Sequence, residues 1–428
     1  MTFCALSSAK GMDIKMTNKA QGRIVKNTIY LYILTIAKMI FPMMTLPYLT
    51  RVFSTDMYGM VSFVKSCVSY VQIVIDFGFI WSATKEITEA STKDKSYIDR
   101  IIGDTIYAKA VLGLCSGSVL FLMSGFVPLL RENMLFSILY FVAVIISIFI
   151  PDFFFRGLER MELASMPYTI AKGISTALTL VLVHDDSTAI LIPILEIIST
   201  LCAVAISMYY VKKLGYTVKV TNLRACITKI CGSAIYFMSS FATTAFGALN
   251  TLLVGIFMNV SDVAYWSVCN TIVVAIQSLY NPLLNSLYPH MIKKKSRKTI
   301  RTALTYFMPI ITLGCVVVLI WSEPIITVVC GSEYKEAAKL FRYLTPVLFI
   351  SFPSQLYGWP ALGALGKAKE ISKSTIIAAI VQVIGLFILI MLGKFTFVNL
   401  AFVRFISELS MFAVRYRYYA IFKSEYEQ

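Results

Sequence analysis

Residues Asn27–Ile87 read NTIYLYILTIAKMIFPMMTLPYLTRVFSTDMYGMVSFVKSCVSYVQIVIDFGFIWSATKEI. Two apolar segments, Thr28–Val52 and Gly59–Ala83, are each long enough to cross a bilayer, which takes about 20 residues. The polar turn Ser54-Thr55-Asp56 joins them. Each segment holds a lysine far from its ends, Lys38 and Lys65. A charge at that depth costs about 2.5–3.5 kcal/mol on insertion scales, so both lysines are expected to face protein or water. On the second segment Ser62, Lys65, Ser69, Gln72 and Asp76 fall in one stripe at helical spacing. Such a stripe lines an aqueous cavity or bonds neighbouring helices. A lysine and an aspartate together favour the cavity. Lys65 and Asp76 share a face but lie about 16 Å apart along it, too far to pair.

The rest of the chain extends this pattern. Of 428 residues, 58% are hydrophobic and 14% charged, with a mean hydropathy of +0.75. Soluble domains are nearer 25% charged, so the fold class is all-α and polytopic. The net charge of +16 does not point to nucleic acid, because the basic residues gather in short loops between apolar spans. Twelve spans are expected. After the first two come Thr105–Val127, Met134–Phe155, Met166–Val183 and Thr188–Val211. A basic loop, 212–229, follows. Then come Ile230–Met258, Val263–Leu287, Ala303–Trp321, Tyr343–Leu362, Ser374–Leu392 and Val398–Tyr416. This divides the chain into a tail (1–23), an N-lobe (24–211), the inter-lobe loop, a C-lobe (230–416) and a second tail (417–428). The first tail has no apolar stretch of signal-peptide type, and Met12 or Met16 would serve as a start. With both termini cytoplasmic, most of the 39 Lys and Arg fall on the cytoplasmic side, as the positive-inside rule requires.

A shift of 205 residues lays the second span on the eighth. Ser62, Lys65, Ser66, Gln72 and Asp76 then fall on Ser267, Asn270, Thr271, Gln277 and Asn281. Two lobes of parallel topology explain such a repeat. The first lobe's stripe is charged and the second's is amide-rich. Amides both donate and accept, so Asn270, Gln277 and Asn281 are candidates for hydrogen bonds to a polar substrate. In the seventh span Ser239, Thr243 and Asn250 share a face, although membrane Ser and Thr commonly bond their own backbone.

The nine cysteines are scattered without CxxC spacing, and His184 and His290 are far apart. Neither a disulfide framework nor a metal site is expected. There is no GxxxxGK[ST] loop, so no ATP hydrolysis is expected.

TLPYLTRVF (45–53), the pair Tyr58-Gly59, DFGF (76–79) and SATKEI (82–87) resemble the start of bacterial polysaccharide flippases of the Wzx type. So do SDVAYWSVC (261–269), NPLLNSLYPHM (281–291) and GSEYKEAAKLFRYLTPVLF (331–349), followed by LGALGKAKE (362–370). The chain departs at Phe53-Ser54, where the family usually has Leu-Gly, and at Lys85, often an arginine. These transporters belong to a superfamily with the MATE multidrug exporters. The resemblance implies two pseudosymmetric six-helix lobes whose boundary is formed by the first, second, seventh and eighth spans. It implies a non-enzymatic flippase for undecaprenyl-diphosphate-linked oligosaccharide in a bacterial cytoplasmic membrane. Partners would be the lipid-linked substrate, the bilayer, and the polysaccharide polymerase and glycosyltransferases of the same pathway. No cofactor is implied, and proton or sodium coupling stays open.

Within the spans the basic residues Lys38, Lys65, Lys109, Lys172 and Arg404 outnumber the acidic Asp76, Glu196 and Glu408. A net positive cavity favours an anionic substrate. Lys38, Lys65, Gln72 and Arg404 are therefore expected to bind substrate with the three amides. Lys38 is followed by Pro42 and Pro47, which suit a hinge or a static kink. In the static case Lys38 would pair with an acid such as Asp76. Lys109 and Lys172 lie near helix ends and are expected to snorkel. Glu196 is expected to stand alone among apolar neighbours. Arg404 and Glu408, at i and i+4, suit an ion pair. Asp76, Glu196 and Glu408 are the candidates for ion coupling in the alternative reading, a MATE-type multidrug exporter. A glycosyltransferase or polymerase would need a sizeable outer loop with clustered charges, which Ser322–Arg342 does not supply. Gly331–Arg342 is expected to form a short amphipathic helix on the outer surface.

Overall fold

The computed structural model describes residues 29–30, 32–90 and 95–426, without the side chains of 235, 239–240, 242–247, 289 and 293. The first tail, Met12 and Met16, and the side chains of Ser239 and Thr243 lie outside this description. Every long element is a helix, and among the described residues there is no strand. The N-lobe holds α1 (Tyr32–Val52), α2 (Thr55–Asp76), α3 (Phe79–Ala90), α4 (Lys95–Phe126), α5 (Pro128–Glu132), α6 (Met134–Ser147), α7 (Asp152–Gly157), α8 (Met161–Leu182) and α9 (Leu191–Lys213). The C-lobe holds α10 (Leu223–Phe257), α11 (Val260–Ser278), α12 (Asn281–Lys294), α13 (Arg297–Cys330), α14 (Ala337–Leu356), α15 (Ala368–Met391) and α16 (Phe397–Ile421). Among the described residues, nine helices or helix pairs are long and apolar enough to cross a membrane. Helices α8, α10 and α14 add three more of at least 20 residues.

The expected second and eighth spans are each broken in two, at matching places. Phe77 and Gly78 both take left-handed conformations (φ 37 and 74) and end α2. Glycine is needed at 78 for a second reason: a Cβ there would lie 2.5 Å from that of Tyr236. The DFGF stretch is therefore the break itself. In the C-lobe Pro282 opens α12 and ends the run of helical hydrogen bonds from α11.

Three expected boundaries shift. The inter-lobe loop shrinks to about residues 214–222, because Asn222 caps α10 by accepting from the Ala225 amide. Beyond α16, Tyr426 is 4% exposed, so the second tail folds back onto the C-lobe. The expected surface helix at Gly331–Arg342 is corrected. It is a short 3-10 turn (Ser332–Tyr334) leading into α14, with Tyr334, Ala337 and Phe341 at 0% exposure. Its apolar face meets protein, whereas an amphipathic pattern alone is equally compatible with lipid.

Packing differs at the two ends of the molecule. At the end carrying the α1–α2 and α10–α11 turns, one core joins both lobes: Leu49, Phe53 and Phe63 pack with Trp266, Tyr334 and Phe341. At the end carrying the inter-lobe linker, the cores separate. One is centred on Ile75, Ile102 and Phe153–Phe155 in the N-lobe. The other is centred on Met291, Phe352 and Tyr357 in the C-lobe. A narrow seam along α10 still links them there. Phe77 stacks on Phe237 (centroids 4.3 Å apart), Ser82 bonds Ser233 (2.6 Å) and Glu86 pairs with Lys229 (2.6 Å).

Candidate functional site

Two adjoining cavities, of about 470 and 420 Å³, lie beside the stripe on α2. Lys65, Tyr140, Lys172 and Glu196 line both. The larger cavity lies between the lobes. Pro42 and Thr45 come from α1, Ser62 and Ser66 from α2, and Thr251 from α10. Ser267, Asn270 and Thr271 come from α11. Three of the residue pairs related by the 205-residue shift thus face one space. The smaller cavity lies within the N-lobe, against Ser69, Gln72, Ser147, Tyr168 and Thr200.

Lys65 is exposed to this space, and among the described residues it forms no ion pair. The other charges beside it are paired with each other. Lys172 on α8 donates to Glu196 on α9. This corrects two expectations: Glu196 does not stand alone, and Lys172 does not snorkel. Apolar flanks in the sequence hid a partner that only the α8–α9 packing supplies.

Deeper on the stripe, Lys109 of α4 donates to Asp76 at 2.9 Å, and Gln72 Nε2 donates to the other Asp76 oxygen at 2.9 Å. Ser147 in turn donates to Gln72 at 3.3 Å. Lys109 is 5% exposed, so snorkelling is corrected here too. The pairing of Lys38 with Asp76 is likewise excluded in this conformation. Lys38 sits 5.3 Å from the centre of the Tyr168 ring and lines neither of these cavities. Helix α1 runs unbroken through Pro42 and Pro47, and Pro47 lies away from both cavities while its carbonyl accepts from Arg51.

Arg404 and Glu408 are buried at 8% and 5% exposure among α14, α15 and α16. Arg404 approaches Gln382 at 3.5 Å, and Glu408 sits beside Arg404, Arg415 and Ser354. Neither lines these cavities, so Arg404 has no route to a ligand there. Gln277 and Asn281 also line neither; Asn281 begins α12 at the break. Among the described residues no group of three His, Cys, Asp or Glu side chains converges on a metal-sized site.

Five lining hydroxyls were not expected: Ser175, Thr176 and Thr179 continue from Lys172 in an i, i+3, i+4, i+7 stripe on α8, and Ser199 and Thr200 follow Glu196 in the same way on α9. The signal was a charge followed by hydroxyls at helical spacing. Also missed was Arg415, 8% exposed, whose guanidinium donates to the Ser354 carbonyl (2.9 Å) and to Ser374 (3.0 Å).

The space as a whole is suited to a polar, anionic guest. Among the described residues it offers one unpaired ammonium, a neutralised ion pair, and hydroxyls and an amide that can both donate and accept.

Comparison with known proteins agrees with this architecture. The family described as polysaccharide biosynthesis protein matches residues 24–295. A protein of Escherichia coli (strain K12) named "Putative O-antigen transporter" is 24% identical over 386 residues, covering 88% of this chain and 92% of that one. Among solved structures, the lipid II flippase MurJ in an inward closed conformation aligns with a TM-score of 0.63 at 12% identity, over 92% of this chain and 87% of its own. An inward-facing MATE family transporter of the MOP superfamily aligns with a TM-score of 0.61 at 14% identity, over 92% and 95%. The fold is that of a MATE-like multi-pass membrane protein.

Proposed function

Because the chain belongs to the polysaccharide biosynthesis protein family, we propose that it is a flippase. It would carry undecaprenyl-diphosphate-linked oligosaccharide across a bacterial cytoplasmic membrane for surface polysaccharide assembly. The observation that carries this reading is Lys65, which among the described residues forms no ion pair and sits where two cavities rich in hydroxyls meet. A diphosphate is drawn to that ammonium by charge-assisted hydrogen bonds. Ser62, Asn270, Thr251 and Thr271 supply donors and acceptors for the glycan. The polyprenyl tail stays in the bilayer. A carrier of cationic drugs would need a free carboxylate here, and Glu196 is held by Lys172.

By the basic-residue bias, the linker end and both termini would be cytoplasmic. The shared core at the opposite end then closes the protein to the outside. Transport would follow as the lobes exchange that closure for one at the linker end.

The test is the pool of lipid-linked oligosaccharide in cells depleted of the protein. Undecaprenyl-linked units should accumulate facing the cytoplasm while surface polysaccharide falls, and the accumulated glycan identifies the substrate. An unchanged pool, with new sensitivity to cationic drugs, would replace this reading with the exporter.

A further inference from the structure

The densest basic stretch, Lys293-Lys294-Lys295 through Arg301, lies where α12 passes to α13. Lys295 ends α12 in a left-handed conformation (φ 40), and Ser296 caps α13 by accepting from the Thr299 amide at 3.4 Å. The reversal leaves a groove of about 630 Å³ between the two helices. Its inner wall is apolar, from Leu283, Leu287 and Phe307. Its rim carries His290, Lys294 and Lys298, with the hydroxyls of Thr299 and Thr302 beside them. Among the described residues no carboxylate lines it. Lys294 and Lys298 are exposed and, among the described residues, form no ion pair.

One further feature sets the ligand class. Tyr306, on the groove wall, begins an exposed apolar stripe with Ile310 and Leu313, at 69%, 63% and 65% exposure. Their i, i+4, i+7 spacing puts them on one face of a helix long enough to span the bilayer. Cationic rim and apolar stripe are thus continuous, in the order in which a lipid presents phosphate and chains. Free phosphate or nucleic acid would use only the rim.

We propose that this groove binds the headgroup of an anionic phospholipid. Lys294 and Lys298 hold the phosphate, Thr299 and Thr302 donate to its oxygens, and an acyl chain lies along Tyr306, Ile310 and Leu313. The site is separate from the cavities around Lys65 and does not depend on the flippase reading.

The test uses the full-length protein in nanodiscs of phosphatidylcholine with and without phosphatidylglycerol. Lipid retained on release is weighed by native mass spectrometry. Phosphatidylglycerol should be retained in preference. Lys294→Gln with Lys298→Gln should weaken that retention about thirtyfold, given the usual worth of two lysines at a lipid surface. The double arginine variant should keep it, which separates charge from folding damage. Equal retention of both lipids would overturn the proposal, as would equal losses in the glutamine and arginine variants. Displacement of phosphatidylglycerol by undecaprenyl diphosphate, dependent on the same lysines, would instead give the groove to a polyprenyl lipid and overturn it.

Discussion

Asp56, at the start of α2, accepts a hydrogen bond from the hydroxyl of Ser261, at the start of α11, 205 positions further along. That separation is the one that superimposes the polar frames of the two helices. Residues that touch their own equivalents lie on a symmetry axis, so the pseudo-twofold relating the lobes passes between these helix starts. Two glycines let α2 come this close to α10 and α11. A Cβ on Gly59 would lie 2.1 Å from the Val260 carbonyl oxygen, and one on Gly255 would lie 2.1 Å from the Phe63 ring.

The seam predicts how the turn end opens. In Gly59→Val the obstacle is backbone, which cannot rotate aside, so the lobes must part. Overpacking of this kind costs about 1–3 kcal/mol, enough to shift a two-state equilibrium about fivefold or more. Labelling of Thr251→Cys, which is 5% exposed and lines the inter-lobe cavity, by an impermeant maleimide added at the turn end should accelerate accordingly in that background. Gly125→Val, where nothing lies within 4 Å of the added Cβ, should leave the rate unchanged. Equal rates in both would mean that this seam does not hold the end shut.

Lys65 and Lys38 should part company. Both are basic and deep within their helices, but only Lys65 lines the cavities. Losing a charge-assisted bond costs about 1.5–3 kcal/mol, so Lys65→Ala should slow transport about tenfold or more at unchanged protein level. Lys65→Arg should retain part of it, and Lys38→Ala most of it. Surface polysaccharide measured against protein in the membrane decides this. An equal loss in Lys38→Ala would put that residue in the substrate path.

That contrast marks what could be read from the chain. The α2 stripe was legible because charges in an apolar run stand out at a period of 3.6, and its echo in α11 pointed to two lobes. The partners were not legible. Whether Asp76 meets Lys38 or Lys109, and whether Glu196 meets anything, depends on how α1, α4, α8 and α9 are rotated about their axes. Ser175, Thr176 and Thr179 went unnoticed because hydroxyls on membrane helices can bond their own backbone, as Thr179 does to Ser175. The burial of Arg404 had the same origin: spacing gave it Glu408 as a neighbour but not its direction relative to the cavity.

The Asp76–Lys109 pair should respond unequally to loss of either member. The Lys109 side chain is 6% exposed and that of Asp76 is 45%. Asp76→Ala strands a buried ammonium, for which breaking a buried pair costs about 3–5 kcal/mol. Lys109→Met leaves a carboxylate that still reaches Gln72 and solvent, at about 1 kcal/mol by the standard of exposed pairs. Thermal unfolding in detergent should therefore show a clearly lower midpoint for Asp76→Ala than for Lys109→Met, with the double variant recovering much of the difference. Equal losses would mean that water reaches Lys109.

The linker between the lobes is tied down rather than loose. Asp99 of α4 accepts from the Thr217 amide (2.8 Å) and hydroxyl (2.7 Å). Asp104 accepts from the Thr221 amide (2.8 Å) and hydroxyl (3.0 Å). Between them Gly103 leaves room for the Lys219 carbonyl, which would sit 2.1 Å from any Cβ. Alternate linker residues thus bind one helix face, and the C-lobe begins at a defined point, Asn222, rather than on a free tether. Asp99→Ala with Asp104→Ala removes all four bonds, each worth about 1.5–3 kcal/mol to a charged acceptor. That is enough to raise the open fraction of the linker about tenfold or more. Trypsin acting on the detergent-solubilised protein should then cut after Lys219 at least that much faster, while sites outside the linker keep their rates. If the rate does not change, the strap is held by its apolar contacts, led by Tyr216 against Phe154 (centroids 5.1 Å apart). In that case Tyr216→Ala would be the substitution that frees it.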